Sequence, residues 1–266
     1  MNILCYRYSQ DLRFESILSV LSKVKYNVGY ASGELSEKNI ADFKPDVIVH
    51  NIPDAENFPI KNSAISININ ETNTDRSFSF KDETSKNYIA RFVDYKDCNV
   101  NADQINKYRS DILYIGSPAP FVTLLNLIHD NNRKIVFKFF NHKPQNIIGY
   151  CGMCDVKDYF KFYRYAKGSI VEHGDMSRMM DIIVSDGNPI IYNKNNEECI
   201  EKIISAVFNN ERYTIDGLSK KDIIENHTSF DRVAKIFKTV GLNKVAEDII
   251  DNKKRVWYKN ENNDLL

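Results

Sequence analysis

Between Ala166 and Asn209 the spacing of apolar residues switches back and forth between two periods, and few folds accommodate that rhythm. Ser169 to Glu172 is a short apolar run of strand type. Asp175 to Val184 then carries apolar residues at helical spacing, behind an aspartate suited to a helix start. A tight turn at Asp186-Gly187 leads to a second buried strand, Pro189 to Tyr192, and to a helix from Glu197 to Phe208. This alternation predicts a parallel α/β sheet, because parallel neighbours need a crossover and a helix supplies it. Ligands of such sheets sit beyond the carboxyl ends of strands and against helix starts. Glu172, His173, Gly174, Asp175 and Arg178 fill one such junction, and Asn193 follows the next strand.

The same rhythm extends toward both ends. Asn2 to Tyr6 reads as a strand, and Leu12 to Val24 as a helix with Phe14, Ile17, Leu18, Leu21 and Val24 on one face. Strands follow at Tyr26 to Ala31, Pro45 to His50, Ala64 to Ile69 and Tyr88 to Val93; a helix from Ser36 to Phe43 and a polar loop from Thr72 to Lys86 lie between. After a polar stretch a second series begins, with strands Asp111 to Gly116 and Lys134 to Phe140 and helices Phe121 to Ile128 and Asp155 to Ala166. Lys134 to Phe140 is apolar enough to be a central strand. The expectation is two Rossmann-like α/β halves, 1–105 and 106–240, facing across a cleft. An amphipathic helix within 241–266 is expected to cross back onto the first half.

Lys+Arg and Asp+Glu both number 36, so overall charge compels neither a nucleic-acid nor a membrane partner. Charge is uneven locally: from Arg133 to Lys167 there are eight Lys/Arg against two acids, interleaved with Phe and Tyr. No apolar run approaches the ~20 residues of a membrane helix, and the start lacks a signal-peptide layout. The reading is a cytoplasmic monomer without membrane contact. Five scattered cysteines fit reduced thiols, and Cys151-Gly-Met-Cys154, lacking a second ligand pair, reads as coincidence rather than a zinc or redox motif. No metal site is expected.

Five stretches then occur in order: Asp111-Ile-Leu-Tyr-Ile-Gly-Ser117, Gly149 to Ala166, Ser177-Arg178-Met-Met-Asp181, Gly187-Asn-Pro-Ile-Ile191, and His227-Thr-Ser-Phe-Asp-Arg-Val-Ala234. Together they resemble the donor-binding half of GT-B glycosyltransferases: its first strand and glycine turn, the next strand-loop-helix, the nucleotide-contacting helix, its Gly-x-Pro exit and a helix near the C-terminus. Asp181 stands where that family carries glutamate, with one extra residue before the turn. The resemblance implies transfer of a sugar from a nucleotide-sugar donor, UDP-linked, with no cofactor beyond that co-substrate. The small, neutral, Asn-, Lys- and Ile-rich chain is also similar to bacteriophage glycosyltransferases acting on DNA hydroxymethylcytosine, free or already glycosylated. That similarity implies duplex DNA as an acceptor.

The chemistry assigns roles. A departing nucleoside diphosphate needs cations and helix-start amides, for which Arg178, Lys138 and the backbone at Gly116, Ser117 and Gly174 are candidates, with His173 beside them. A carboxylate holding ribose hydroxyls suits Asp181 or Glu172. An inverting transfer needs a base from the first half: Asp11 first, then His50 and Asp54. Arg133, Lys134, Lys143 and Arg164 are candidate DNA contacts. Two other functions fit the same residues: a transferase acting on an envelope glycan or small molecule, and a non-catalytic nucleotide- or DNA-binding protein.

Overall fold

The computed structural model describes residues 1–8, 12–33, 37–52, 64–69, 98, 100–116, 126, 134–141, 149–155 and 158–258. The strand expected at 88–93, the loop at 72–86 and, apart from Asn126, the helix at 121–128 lie outside them. The chain divides into two compact units, Met1–Asp94 with His227–Leu266, and Tyr95–Asn226.

In the first unit β1 (Asn2–Arg7), α1 (Leu12–Leu21), β2 (Asn27–Ser32), α2 (Glu37–Phe43), β3 (Val47–His50) and β4 (Ile65–Asn68) follow one another. All pairings are parallel, in the order β2-β1-β3-β4. Residues Ile3 to Tyr6 of β1 are buried without alternation, as a parallel strand covered on both faces must be. The second unit repeats this plan. After a four-residue helix α3 (Ile105–Tyr108) come β5 (Ser110–Ile115), β6 (Phe137–Phe140), α4 (Tyr159–Tyr165), β7 (Ala166–Glu172), α5 (Met176–Val184), β8 (Pro189–Tyr192), α6 (Asn196–Phe208) and α7 (Lys220–Asn226). Its sheet is again parallel, in the order β6-β5-β7-β8. The expected α/β class, with two Rossmann-like parallel sheets, is therefore present.

Period-two alternation in β5 builds two cores. Ile112 and Tyr114 pack with Cys199, Ile203 and Ala206 of α6, whereas Leu113 and Ile115 pack with Phe162 and Tyr163 of α4 and Met179 and Ile182 of α5. The strand expected over Lys134 to Phe140 is shorter, and β6 is the outermost named strand rather than a central one. Its apolar character has another cause: Phe139 exchanges backbone hydrogen bonds with Gly149 and Cys151, at 2.8 Å each, so the segment at 149–152 covers that edge.

The last helices, α8 (Ser229–Thr239) and α9 (Asn243–Trp257), belong to the first unit. Thr228 and Asp231 form a reciprocal capping box at the start of α8. Lys253 of α9 reaches Asp231 at 2.6 Å, and the Tyr26 hydroxyl donates to Asp248. His227 to Ala234, read from sequence with the second half, thus lies in the first compact unit. Among the described residues no helix is long and apolar enough to cross a membrane.

Candidate functional site

In the second sheet β6 lies on one side of β5 and β7 on the other, so the connection from β5 to β6 and that from β7 to β8 run in opposite directions. A crevice opens beyond the carboxyl ends of two such strands. β5 ends at Ile115 and is followed by Gly116; β7 ends at Glu172 and is followed by His173 and Gly174. Gly116 has φ +148°, and a Cβ there would lie 3.0 Å from Arg178 Nη1 and 3.0 Å from the Tyr114 hydroxyl. A Cβ there would press the guanidinium and the Tyr114 hydroxyl by a few tenths of an ångström, and the positive φ itself favours glycine. Gly174, at φ +89°, makes the turn from β7 into α5.

Arg178 is fixed on several sides. Asp175 caps α5, with Oδ1 accepting the Arg178 backbone N–H at 3.2 Å, while Oδ2 lies 3.6 Å from Nη1. The Tyr114 hydroxyl donates to Glu172 Oε1 at 3.4 Å. Burial of the guanidinium acts to lower its pKa, but its neighbours, the Asp175 and Glu172 carboxylates among them, outweigh it and the net shift is upward. Burial, the largest cause, pushes the phenols of Tyr114 and Tyr163 upward, so both stay neutral. Arg178 therefore remains a cation, with only 27% of its side chain exposed. The Met176 amide is spent on Gly174 O and the Arg178 amide on Asp175. The guanidinium is thus the charged donor at this junction, and the Met176 and Arg178 amides of the helix start are already engaged.

The structure thus brings Gly116, Glu172, His173, Gly174 and Arg178 to one strand-end junction. Asp181 lies one turn further along α5, close enough to Tyr163 to raise the phenol's pKa. Lys138 is elsewhere. It pairs in register with Leu113, two residues before the end of β5; its ammonium donates to the Lys107 carbonyl and lies 5.4 Å from the Phe162 ring centre. Burial lowers its pKa. Lys134 is exposed just before β6, and Arg164 closes α4 at the amino end of β7. Asp11, Asp54, Ser117, Arg133 and Lys143 lie outside the described residues.

His50, at the carboxyl end of β3, is fully buried. Its Nε2 is 3.0 Å from Ser66 Oγ, and Nδ1 accepts the Ile52 N–H at 3.4 Å. Burial drives its pKa down to about 4. A neutral ring with both nitrogens engaged is a structural histidine as placed. Beside it, Asn51 Oδ1 accepts the Tyr8 N–H at 2.7 Å, joining the ends of β3 and β1. This is the first sheet's counterpart of the β5–β7 junction, and Tyr8 stands 59% exposed there.

Sequence reasoning did not single out Tyr8, Asn51, Tyr114 or Tyr163. A tyrosine in an apolar strand carries no sign of where its hydroxyl ends. The one available signal was position: Tyr114 lies two residues before the turn glycine, on the side chain row that reaches the strand end.

No protein-family model and no curated protein matches this sequence. Among solved structures, the chain is similar to AviGT4, a glycosyltransferase involved in avilamycin A biosynthesis, at 10% identity over 96% of this chain and 97% of that one, with a TM-score of 0.40. SnogD, a glycosyltransferase from Streptomyces nogalater, gives 9% identity over 96% and 95%, with a TM-score of 0.41. The wall teichoic acid polymerase TagF gives 10% over 96% and 89%, with a TM-score of 0.39. Likenesses this distant carry no argument about chemistry. The two-sheet architecture rests on the strand pairing itself.

Proposed function

We propose that the chain is a glycosyltransferase that takes its sugar from a nucleotide diphosphate donor, UDP-linked, held at the β5–β7 junction. The observation that carries this reading is the Arg178 guanidinium, seated against Gly116 and fixed by Asp175 beside Glu172. Negative charge grows on a departing diphosphate, and a fixed, half-desolvated guanidinium stabilises it without reorganising. Glu172, exposed at the strand end, can accept hydrogen bonds from donor hydroxyls. Asp11 remains the first choice as base, with Asp54 next, while the buried, engaged ring of His50 argues for a structural role. The acceptor we favour is hydroxymethylcytosine in duplex DNA. The family resemblance and the basic segment from Arg133 to Lys167 support it, and Tyr8 offers an aromatic face at the first sheet's own junction.

Calorimetric titration with UDP, with and without magnesium, tests the donor half. Wild type should bind, and Arg178→Ala should bind about tenfold more weakly or worse while keeping its circular dichroism spectrum. Transfer to hydroxymethylcytosine-containing duplex, compared with unmodified duplex, tests the acceptor half. UDP binding unchanged in Arg178→Ala would remove the donor assignment.

A further inference from the structure

A cavity of about 170 Å³ lies in the second unit, away from the β5–β7 junction. It opens where α4 runs into β7 and where the chain enters β8, at the amino ends of those strands. Arg164, Lys167, Asp186, Asn188, Glu211 and Arg212 line it. Arg164 and Lys167 belong to the basic segment invoked for the acceptor, and the other lining residues have no part in the proposed transfer.

The charges are distributed unevenly between paired and unpaired groups. Lys167 Nζ lies 2.9 Å from Asp111 and 3.1 Å from the Val207 carbonyl. The Asp186 carboxylate is taken by Lys220 at 2.8 Å. Glu211 lies by the Tyr213 hydroxyl and helps to raise that phenol's pKa, after burial as the main cause. The Asp186 carboxylate is therefore paired, while the Tyr213 hydroxyl beside Glu211 donates to the Lys202 carbonyl. The two guanidiniums are not matched in that way: Arg212 Nη2 donates to the Asp186 and Gly187 carbonyls, which carry no net charge, and among the described residues Arg164 forms no ion pair.

The floor is rigid. Asn188, 4% exposed, donates to the Lys167 and Glu211 carbonyls at 2.8 and 2.9 Å, and its Oδ1 accepts the Tyr213 N–H at 2.8 Å. Asp186 and Asn210, both at the rim, hold left-handed backbone at φ +58° and +55°. Asp and Asn tolerate that conformation better than other side-chain-bearing residues. The concavity is thus built by locked turns, and at its wall stand two guanidiniums that no carboxylate among the described residues pairs.

We propose that this cavity binds a small phosphate-bearing anion, the guanidiniums of Arg164 and Arg212 supplying planar, forked donors to its oxygens. Inorganic phosphate and a phosphate monoester share that chemistry. The limited volume favours either over a duplex backbone.

Calorimetric titration of the full chain with inorganic phosphate and with glycerol 3-phosphate tests the site. Wild type should bind at least one, and the tighter of the two identifies the free ion or the ester as ligand. Arg164→Ala should weaken binding about tenfold or more, with Arg164→Lys between the two. Arg178→Ala should leave phosphate binding as in wild type, which separates this cavity from the donor junction and lets either assignment fail alone. No binding by wild type at about 10 mM, roughly −3 kcal/mol, overturns the proposal. So does equal binding by wild type and a folded Arg164→Ala. Displacement of phosphate by a short DNA duplex, lost in Arg164→Ala, would replace the small ligand with a nucleic-acid backbone and overturn it too.

Discussion

Replacing Asp231 should cost the first unit far more than replacing its partner Lys253, although the two share one ion pair. Lys253 Nζ and Asp231 Oδ1 are 2.6 Å apart, with side chains 6% and 16% exposed. Asp231 has further support: Oδ2 accepts the Thr228 N–H at 2.8 Å and its hydroxyl at 2.7 Å, in the first turn of α8. Lys253→Met keeps most of the buried stem volume and leaves a carboxylate that still has two hydrogen bonds and a helix start. We expect a loss of about 2 kcal/mol, below the ~3–5 kcal/mol typical of breaking a buried pair. Asp231→Ala leaves the ammonium buried without that carboxylate and also dissolves the capping box, adding about 1 kcal/mol, for a total near 5 kcal/mol. Trp257, the sole tryptophan, is buried one turn beyond Lys253 on α9. Its fluorescence during urea unfolding therefore reports this unit. Equal losses for the two variants, or a larger loss for Lys253→Met, would refute the reasoning.

Gly116→Ala should lower UDP affinity at least about tenfold, because its Cβ would meet Arg178 Nη1 and the Tyr114 hydroxyl at 3.0 Å; unchanged affinity in titration would show that the guanidinium does not depend on this seat. His50, with its pKa lowered by burial to about 4, binds its proton more weakly folded than unfolded, where about 6.5 is normal. Its stabilising effect is full above pH ~6.5 and falls as pH drops toward 4, by up to about 3 kcal/mol. Urea midpoints by Trp257 fluorescence should decline across that window in wild type and decline less in His50→Asn. Gly168→Ala would place a methyl 2.4 Å from Ile190 Cδ1 and should cost about 1–3 kcal/mol in thermal melts, partly restored by Ile190→Val.

Much of the candidate site was legible because its residues lie close along the chain. Glu172, His173, Gly174 and Arg178 span a single strand-to-helix turn, so a pattern that places the strand and the helix also places them. Gly116 is separate in sequence, yet its position just after an apolar strand marks it as a strand-end turn. Lys138 shows where the pattern stops helping. Side chains alternate along β6, but the pattern does not tell how far along the strand the sheet's open end lies, and pairing with Leu113 rather than with Gly116 sends its ammonium to Lys107. The edge position of β6 was hidden for a related reason: apolar content reports covering, and backbone from 149–152 covers an edge as well as a strand would.

Local spacing along the chain was enough to establish the alternation of strands and helices, the two-fold recurrence of that plan, and the cluster of charged residues after β7, because each depends on only a few neighbouring positions. The rest came from long-range contacts. Register brought Tyr114 and Gly116 against Arg178, packing buried His50 as a neutral ring, and the turns before β8 gathered Arg164 and Arg212 around one cavity. Those outcomes depend on which strands pair and at which residue. Contacts between residues tens of positions apart fix that choice, and no local period encodes it.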